Sequence, residues 1–247
     1  MAVSSSQKKA PKNTAKKILA IDIGGSNIKG TVLDSNGKIV EPYKKEPTPK
    51  PATPAAVIAG IERLALLFTA YDHISVGFPG YVKNGVVYTA PNLGKGWANT
   101  DLAKKLNTIF KKPVRIVNDA DLQGLGVAKG KGFEIVITLG TGFGTAFLMD
   151  GKLLPHIELA HHPLNDKKDY DAFIGEAALE RIGKKEWKKR MQRVLGILLT
   201  VFNYDHLYIS GGNADLLTFR LAKNISIVSN KDGIKGGARL WNDTVHV

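Results

Sequence analysis

The sequence predicts an α/β fold, because apolar runs of strand length alternate with helical patterns and several runs end in glycine turns. Three such runs, at 18–23, 135–139 and 206–210, each stop at a turn that contains glycine. A further turn signal at Asn36-Gly37 indicates another strand after the first hairpin. Because open α/β sheets bind ligands at the carboxyl ends of their strands, the three glycine turns are candidate binding positions.

The helices are predicted from apolar residues that recur at helical spacing. A proline-rich connector at 46–54 precedes the first pattern, at 55–68, and Thr100-Asp101 caps a second helix that runs to Phe110. Further helices are predicted after Asp119, over 169–182, over 184–204 and from Gly233. Strand runs fill the intervals at 73–77, 86–88, 114–118 and 225–228.

The chain of 247 residues is long enough for one large domain or two lobes. We expect a disordered basic tail over 1–17, an N-terminal α/β lobe over 18–117 and a C-terminal α/β lobe over 118–247. No apolar run reaches the roughly 18 to 20 residues that span a bilayer, and the tail has no apolar signal-peptide core. A cytoplasmic protein with no membrane partner is therefore predicted.

The net charge and the cysteine content of the chain limit the kinds of partner and chemistry that it can have. The chain has 35 Lys and Arg residues against 22 acids, a formal net charge of +13, which indicates a polyanionic partner. The absence of cysteine excludes disulfides, thiolate metal sites and a cysteine nucleophile. Part of the positive charge forms a basic cluster on the helix over 184–204, for which a solvated face is the alternative explanation. The cluster consists of Lys184, Lys185, Lys188, Lys189, Arg190 and Arg193.

The glycine turns have the composition of phosphate-binding loops. Gly24-Gly25 follows an acid, Asp22, and the turn at 140–142 places Thr141 between two glycines. Glycine adopts backbone angles closed to other residues and lets main-chain N–H groups approach an anion. The third turn, Gly211-Gly212, opens a predicted helix whose N-terminus would also face an anion. A simple β-hairpin remains the alternative for the first turn.

Polar side chains gather in the central part of the chain. Asn118 and Asp119 follow one apolar run, and Glu158 and His161 follow the strand after the second glycine turn. Carboxylate, amide and imidazole groups are suited to hydrogen-bonding a polyhydroxyl ligand. Asn92, in a separate glycine-containing loop, is either a further ligand or a turn former.

With IDIGGSNIKG, VNDAD, LGTGFG, ELAHH and ISGGN in this order, the chain resembles the ROK (repressor, open reading frame, kinase) family of sugar kinases. Within that family it looks most like the polyphosphate-dependent glucokinases. The resemblance extends from about Ile18 to the C-terminus. It implies a two-lobed actin-like ATPase (ribonuclease H-like) sugar kinase fold, with mixed sheets and a sugar in the central cleft. A homodimer is also expected.

The resemblance assigns roles to the residues that match its motifs. It implies that Asp119 is the catalytic base. The implied sugar ligands are Asn92, Asn118, Glu158 and His161. The phosphate-binding set is Asp22, Gly24, Gly25, Gly140, Thr141, Gly142, Gly211 and Gly212.

Some assignments stay open at this point. Asp119 could instead be the N-cap of the following helix, and Asp121 could compete for the role of base. A further sugar-binding glutamate of the family could correspond to Glu176 or to Glu180. The chain also departs from the family pattern in two ways. It has no cysteine-rich zinc loop, so no structural zinc is expected, and it has Ala160 where glycine is usual.

The implied reaction is phosphoryl transfer to the 6-hydroxyl of glucose, with inorganic polyphosphate as donor and ATP as a further donor. Mg²⁺ is the expected cofactor, bridging donor phosphates and anchored by Asp22 through water, and no residue is predicted to bind a metal directly. The alternatives are an ATP-dependent ROK sugar kinase and a non-catalytic sugar sensor of the same fold. No nucleic-acid partner is expected, because a nucleic-acid-binding module would leave Asp119 and Glu158 without a purpose.

Overall fold

The computed structural model describes residues 16–242, and two five-stranded sheets form its centre. Residues 1–15 of the predicted basic tail lie outside this described part. Both sheets contain parallel and antiparallel pairs, and helices pack against them. The predicted α/β class with mixed sheets is therefore confirmed.

The strands of the described residues are numbered in chain order. They are β1 (Ile18–Ile23), β2 (Asn27–Leu33), β3 (Ile39–Pro47), β4 (His73–Phe78), β5 (Val82–Lys83), β6 (Val86–Val87), β7 (Thr100–Asp101), β8 (Val114–Asn118), β9 (Phe133–Leu139), β10 (Phe143–Met149), β11 (Lys152–Leu153), β12 (Pro163–Asn165), β13 (Lys168–Asp169), β14 (His206–Ser210) and β15 (Ile225–Ile227).

The two large sheets have related topologies. The first has the strand order β3-β2-β1-β4-β8, with β1, β2 and β3 antiparallel and β4 and β8 parallel to β1. The second has the order β11-β10-β9-β14-β15, again with an antiparallel hairpin beside parallel strands. The central strands are covered on both faces and so are almost continuously apolar. All three glycine turns follow such buried strands.

Seven helices are present in the described residues. They are α1 (Pro54–Leu66), α2 (Leu102–Phe110), α3 (Asp119–Val127), α4 (Tyr170–Ile174), α5 (Glu176–Phe202), α6 (Asn230–Gly233) and α7 (Gly236–Arg239). The Asp101 side chain accepts a hydrogen bond from the Lys104 N–H (2.9 Å), so the predicted cap of the helix ending at Phe110 is confirmed. Within residues 16–242, no helix combines the length and apolar character that crossing a membrane requires.

The helical region after residue 169 agrees with its prediction only in part. The pattern predicted helices over 169–182 and 184–204, and the predicted interruption at residue 183 is confirmed, because Gly183 has non-helical angles and kinks α5 there (φ 75°, ψ 161°). The first predicted helix is interrupted once more, at Gly175 between α4 and α5. The break follows from a tertiary contact, because the Glu176 N–H donates to the carbonyl of Thr141 (3.3 Å). This contact joins the start of α5 to the second glycine turn.

Helix α3 connects the two sheets. It packs against β4 and β8 of the first sheet and against β9 and β10 of the second. Its glycine positions allow this close packing, since a Cβ on Gly124 would lie 2.6 Å from the Cβ of Ala146. The polar residues at the start of α3 are therefore fixed relative to both sheets.

The C-terminal segment returns to the first sheet. Ser75 in β4 donates a hydrogen bond to the carbonyl of Gly237 (2.6 Å), and Trp241 donates from its indole Nε1 to Ser75 Oγ (2.8 Å). Ile234 and Ala238 are buried together with Ile18 and other residues of the first sheet. Residues 234–241 thus pack on the first sheet, and the boundary between the predicted lobes stays a prediction.

Candidate active site

Asn118 and Asp119 lie where β8 ends and α3 begins. Asn118 is the N-cap of α3, because its Oδ1 accepts the Ala120 N–H (2.8 Å), and its Nδ2 donates to the Gly80 carbonyl (3.1 Å). The alternative that Asp119 is the N-cap is therefore wrong. Asp119 is the first residue of the helix, although its Oδ1 also lies 2.8 Å from the Ala120 N–H. Its carboxylate is held at the positive end of the helix dipole.

The surroundings of Asp119 are apolar and acidic. Burial raises the pKa of this carboxyl to about 7, and the charges of Asp22, Asp121 and Glu158 act in the same direction. The hydrogen bond from the Ala120 N–H acts in the opposite direction. Asp22, Asp121 and Glu158 therefore lie near enough to Asp119 to act on its pKa, and a shared site of Asp22, Asp119 and Glu158 stays a prediction.

Asp121 points to a different partner. Its Oδ2 lies 2.8 Å from Nδ1 of His156, and both side chains are less than a tenth exposed. An acid that already binds a buried imidazole is poorly placed to accept a proton from a ligand in the cleft. This geometry supports Asp119 over Asp121 as the base.

Glu158 and His161 occupy a short 3₁₀ turn, Leu159–His161, and the residue before it. Contact with His156 lowers the pKa of Glu158 despite partial burial, and its side chain is 37% exposed. His161 is more exposed, and its Nδ1 lies 3.7 Å from Oδ2 of Asp169. Both side chains are accessible to a ligand.

The first two glycine turns have defined backbone geometry. At the first, the Gly24 N–H donates to the Asn27 carbonyl (3.0 Å) and Thr48 Oγ1 donates to the Gly24 carbonyl (2.6 Å). At the second, the Gly140 N–H donates to the Gly142 carbonyl (3.2 Å). Both turns keep part of their surface exposed, as a phosphate site requires.

The third turn lies against the second. The Asn213 N–H donates to the Leu139 carbonyl (3.0 Å), which places Gly211 and Gly212 beside the start of the turn at 140–142. The predicted helix after this turn is only a 3₁₀ turn, Ala214–Leu216, because Leu217 leaves the helical conformation. Its N-terminus is therefore a weaker anion site than a full helix would provide.

Gly211 and Gly212 allow a matched test of which glycine of the third turn the fold requires. Gly211 has a φ of +100°, and a Cβ there would overlap the backbone of Leu139, whereas a Cβ on Gly212 would have no heavy atom within 4 Å. We expect Gly211→Ala to lower the free energy of unfolding by more than about 2 kcal/mol and Gly212→Ala to change it by less than about 0.5 kcal/mol. Urea denaturation measures both, and equal effects would contradict the geometry.

Asn92 is the predicted ligand that the structure does not join to the others. It is exposed, in a loop that is fixed by hydrogen bonds from Gly94 N–H (3.1 Å) and Trp97 Nε1 (2.9 Å) to the Ala52 carbonyl. Within the described residues, no hydrogen bond joins Asn92 to Asn118 or Asp119. Its role as a sugar ligand stays a prediction.

Two residues near the cleft were missed in the sequence. Asp171 accepts a hydrogen bond from the Phe143 N–H (2.6 Å). Burial raises the pKa of Asp171, and this hydrogen bond and the charge of His161 act in the opposite direction. Glu176 and Glu180 are both exposed on α5, and the acid in contact with His161 is Asp169. The other missed residue is His156. It lies two positions before Glu158, and this spacing places side chains on one side of an extended segment.

Mg²⁺ needs few protein ligands, and the acids of the site fit that requirement. The described residues contain no group of three or more His, Cys, Asp or Glu side chains that could hold a metal ion. Mg²⁺ does not need one, since it commonly binds one or two carboxylates together with substrate phosphates and water. Asp22, just before the first glycine turn, supplies such a carboxylate. Burial raises the pKa of Asp22 and Lys29 opposes it, so a cation there would favour its ionised form.

Comparisons with known proteins show the family of this chain. The model of the ROK family matches residues 18–167. A polyphosphate glucokinase of Mycobacterium tuberculosis is 33% identical over 92% of this chain and 92% of that protein. The polyphosphate glucokinase of Mycobacterium leprae is 34% identical over 88% of this chain and 72% of that protein.

Solved structures show the same relationship. The inorganic polyphosphate/ATP-glucomannokinase of Arthrobacter sp. strain KM aligns with a TM-score of 0.81 at 34% identity, covering 91% of this chain and 97% of that one. A ROK family glucokinase from Streptomyces griseus, in complex with glucose and AMPPNP, shares the fold with a TM-score of 0.71 at 20% identity, over 91% and 98% of the two chains. The predicted actin-like sugar kinase fold is confirmed, and the chain belongs to the ROK family.

Proposed function

We propose that the protein transfers a phosphoryl group to the 6-hydroxyl of glucose, with inorganic polyphosphate as the preferred donor and ATP as a second donor. The observation that carries the proposal is the Asp119 carboxylate at the start of α3, close to Glu158 and to Asp22 before the first glycine turn. Relatives named polyphosphate glucokinase, similar over nearly the whole chain, support the same activity.

In the proposed reaction the 6-hydroxyl oxygen attacks the terminal phosphorus of the donor. A new O–P bond forms, the bond from that phosphorus to its bridging oxygen breaks, and the hydroxyl proton passes to Asp119. Phosphoryl transfer has a loose transition state, so alignment and neutralisation of charge contribute more than activation of the nucleophile. Asn118, Glu158 and His161 would hold the sugar, and the glycine turns would hold the phosphates.

The pKa of Asp119 gives the reaction a pH dependence. A base must be ionised to accept a proton, and burial holds the pKa of Asp119 at about 7 in the free protein. We therefore expect kcat/KM for glucose to rise as the pH increases through about 7 and to level off above about pH 8, since kcat/KM reports the free enzyme. Initial rates between pH 5 and 9 measure this, and a flat profile would contradict the assignment.

We also propose that Mg²⁺ is required and that zinc is not. When bound, Mg²⁺ would neutralise charge on the donor phosphates, and Asp22 would anchor it through water. We expect EDTA to abolish turnover and added Mg²⁺ to restore it, while metal analysis finds no stoichiometric zinc in the purified protein. Turnover that persists in EDTA would contradict the proposal, and bound zinc would make His156, His161 and His162 candidate ligands.

A coupled assay tests the activity itself. Glucose and mannose are each offered with long-chain polyphosphate and with ATP, and formation of the hexose 6-phosphate is followed. We expect turnover of glucose with both donors and a higher kcat/KM for polyphosphate. Turnover with ATP alone would identify an ordinary ATP-dependent ROK sugar kinase. Calorimetric binding of glucose without turnover would identify a sugar sensor.

The predicted homodimer and the cytoplasmic location stay predictions. Exposed apolar side chains on the second half of α5, Leu199 and Val201, support a contact between subunits. Size-exclusion chromatography with light scattering distinguishes a dimer from a monomer, and Val201→Lys should shift a dimer that uses this face towards the monomer.

A further inference from the structure

His156 links two acids that come from different parts of the chain. Its Nδ1 lies 2.8 Å from Oδ2 of Asp121 in α3, and its Nε2 lies 3.3 Å from Oε1 of Glu158. The imidazole is 7% exposed, the Asp121 side chain 8% and the Glu158 side chain 37%. The chain of contacts thus runs from a buried acid, through a buried imidazole, to a carboxylate that is accessible from the cleft.

The chemistry of these groups fixes the state of the imidazole. An ionised carboxylate only accepts hydrogen bonds, so a ring that faces a carboxylate at each nitrogen is satisfied only when both nitrogens carry protons. In agreement, the contacts with Asp121 and Glu158 outweigh burial and raise the pKa of His156 to about 10. A positive charge between two acids also reduces the repulsion between them.

The second contact is incomplete in the free protein. Nε2 of His156 is buried without a hydrogen bond, because its 3.3 Å approach to Glu158 lacks the required geometry. A buried donor without a partner is unfavourable, and catalytic hydrogen bonds often shorten only when substrate binds. A small movement of the flexible Glu158 side chain towards the ring would complete the bond through Oε1 and leave Oε2 for a ligand.

We propose that His156, held in place by Asp121, is a positioning residue that orients the Glu158 carboxylate for a sugar hydroxyl. This inference rests on the proposed function. It gives a role to the buried pair of Asp121 and His156, whose contact the catalytic chemistry does not otherwise use. Fixing Glu158 before the sugar arrives reduces the side-chain entropy lost on binding, so the effect should appear mainly in sugar affinity.

A cavity beside His156 provides a direct test. It has a volume of about 820 Å³ and is lined by Tyr81, Asp121 and His156, but not by Glu158. The Tyr81 ring stacks over the imidazole, with centroids 6.0 Å apart. Removal of the imidazole in His156→Ala would therefore leave space that is continuous with a cavity, from which free imidazole could occupy the vacated position.

The experiment compares His156→Ala, His156→Gln and Asp121→Asn with the control His162→Ala, which alters an exposed histidine nearby. For His156→Ala we expect the KM for glucose and its calorimetric Kd to rise about tenfold or more, while kcat and the KM for polyphosphate change less than about threefold. Millimolar imidazole should restore most of the glucose affinity. The Gln variant should be intermediate, Asp121→Asn should weaken glucose binding, and the control should behave as wild type.

Two results would overturn the proposal. One is unchanged glucose affinity in His156→Ala. The other is weakened affinity that imidazole does not restore and that follows a loss of thermal stability, which would show a purely structural role. Calorimetry needs no turnover, so a wild-type protein that binds glucose without phosphorylating it would contradict the proposed function and still test the role of His156. An NMR titration of the His156 ring depends neither on turnover nor on glucose binding. The ring should stay protonated above pH 8 in the wild type but not in Asp121→Asn.

Discussion

Replacing Asp119 with asparagine should lower kcat by roughly 10²- to 10⁴-fold while the affinity for glucose changes by less than about tenfold. Asparagine keeps the shape of the side chain but cannot take the hydroxyl proton. Asn118, which caps α3 and contacts Gly80, is untouched by the change. The loss should therefore lie in the chemical step rather than in binding. Steady-state kinetics and calorimetry with glucose measure the two effects separately.

A stability measurement distinguishes this loss from misfolding. The pKa of Asp119 goes from 3.8 in the unfolded chain to about 7 in the folded protein, so the folded state is protonated between these values. The contribution of Asp119 to the free energy of unfolding therefore falls as the pH rises from about 4 to about 7, by at most about 4 kcal/mol and by less where water screens the charge. At pH 8 the Asn variant should be more stable than wild type.

Asp121→Asn is the matched control for the catalytic role. This variant should raise the KM for glucose through His156 and Glu158 and should leave most of kcat intact. If Asp119→Asn retained more than a few per cent of wild-type turnover and Asp121→Asn lost it, the base would be Asp121. The hydrogen bond between Asp121 and His156 argues against that outcome.

The features that sequence reasoning predicted are those with local signals. Asn118 and Asp119 follow a β-branched run, and the glycine turns interrupt buried strands, so residue type and position along the chain are sufficient to locate them. His156 and Asp171 have no such signal. Their partners, Asp121 and the Phe143 N–H, come from distant segments, and only the packing of α3 and α4 against the second sheet brings them into contact.

The same difference between local signals and long-range contacts explains where the observed elements depart from the predicted ones. The break at Gly175 depends on the hydrogen bond from Glu176 to Thr141, a contact that no helical period encodes. The return of the C-terminal segment to the first sheet depends on Gly237 lying against Ala20, where a Cβ would come within 2.7 Å of the alanine Cβ. Periodicity predicts which face of an element is buried but not which element covers it.

The second large effect concerns the phosphoryl donor. We expect the KM for polyphosphate to depend on salt concentration much more steeply than the KM for ATP does. The basic cluster lies on α5, whose first residue donates to Thr141 of the second glycine turn. Lys184 follows directly after the Gly183 kink in α5. Lys188 donates to Thr218 Oγ1 (2.7 Å), after the third turn. We therefore expect a long phosphate chain that leaves the second and third turns to reach the cluster, and a triphosphate to make fewer contacts with it.

The structure also shows which lysines can be changed safely. Arg190 and Arg193 lie over the Phe173 ring, with centroid distances of 4.6 and 5.7 Å, and Lys188 holds Thr218, so these three support the fold. The exposed lysines of the cluster are Lys184, Lys185 and Lys189. Changing them to alanine removes three charges. The matched control changes Lys104, Lys105 and Lys131, which are exposed elsewhere and carry the same total charge.

Binding a polyanion through lysines releases counterions, so each contact adds to the salt dependence of affinity. We expect the slope of log KM for long polyphosphate against log salt concentration to decrease by about 2 in the cluster variant, on the single-strand scale of about 0.7 per contact, and to stay near wild type in the control. The KM for ATP should respond weakly to salt in all three proteins. A higher kcat/KM for ATP than for polyphosphate, or a cluster variant that matches the control, would mean that α5 only presents a solvated face and that the protein is an ATP-dependent glucokinase.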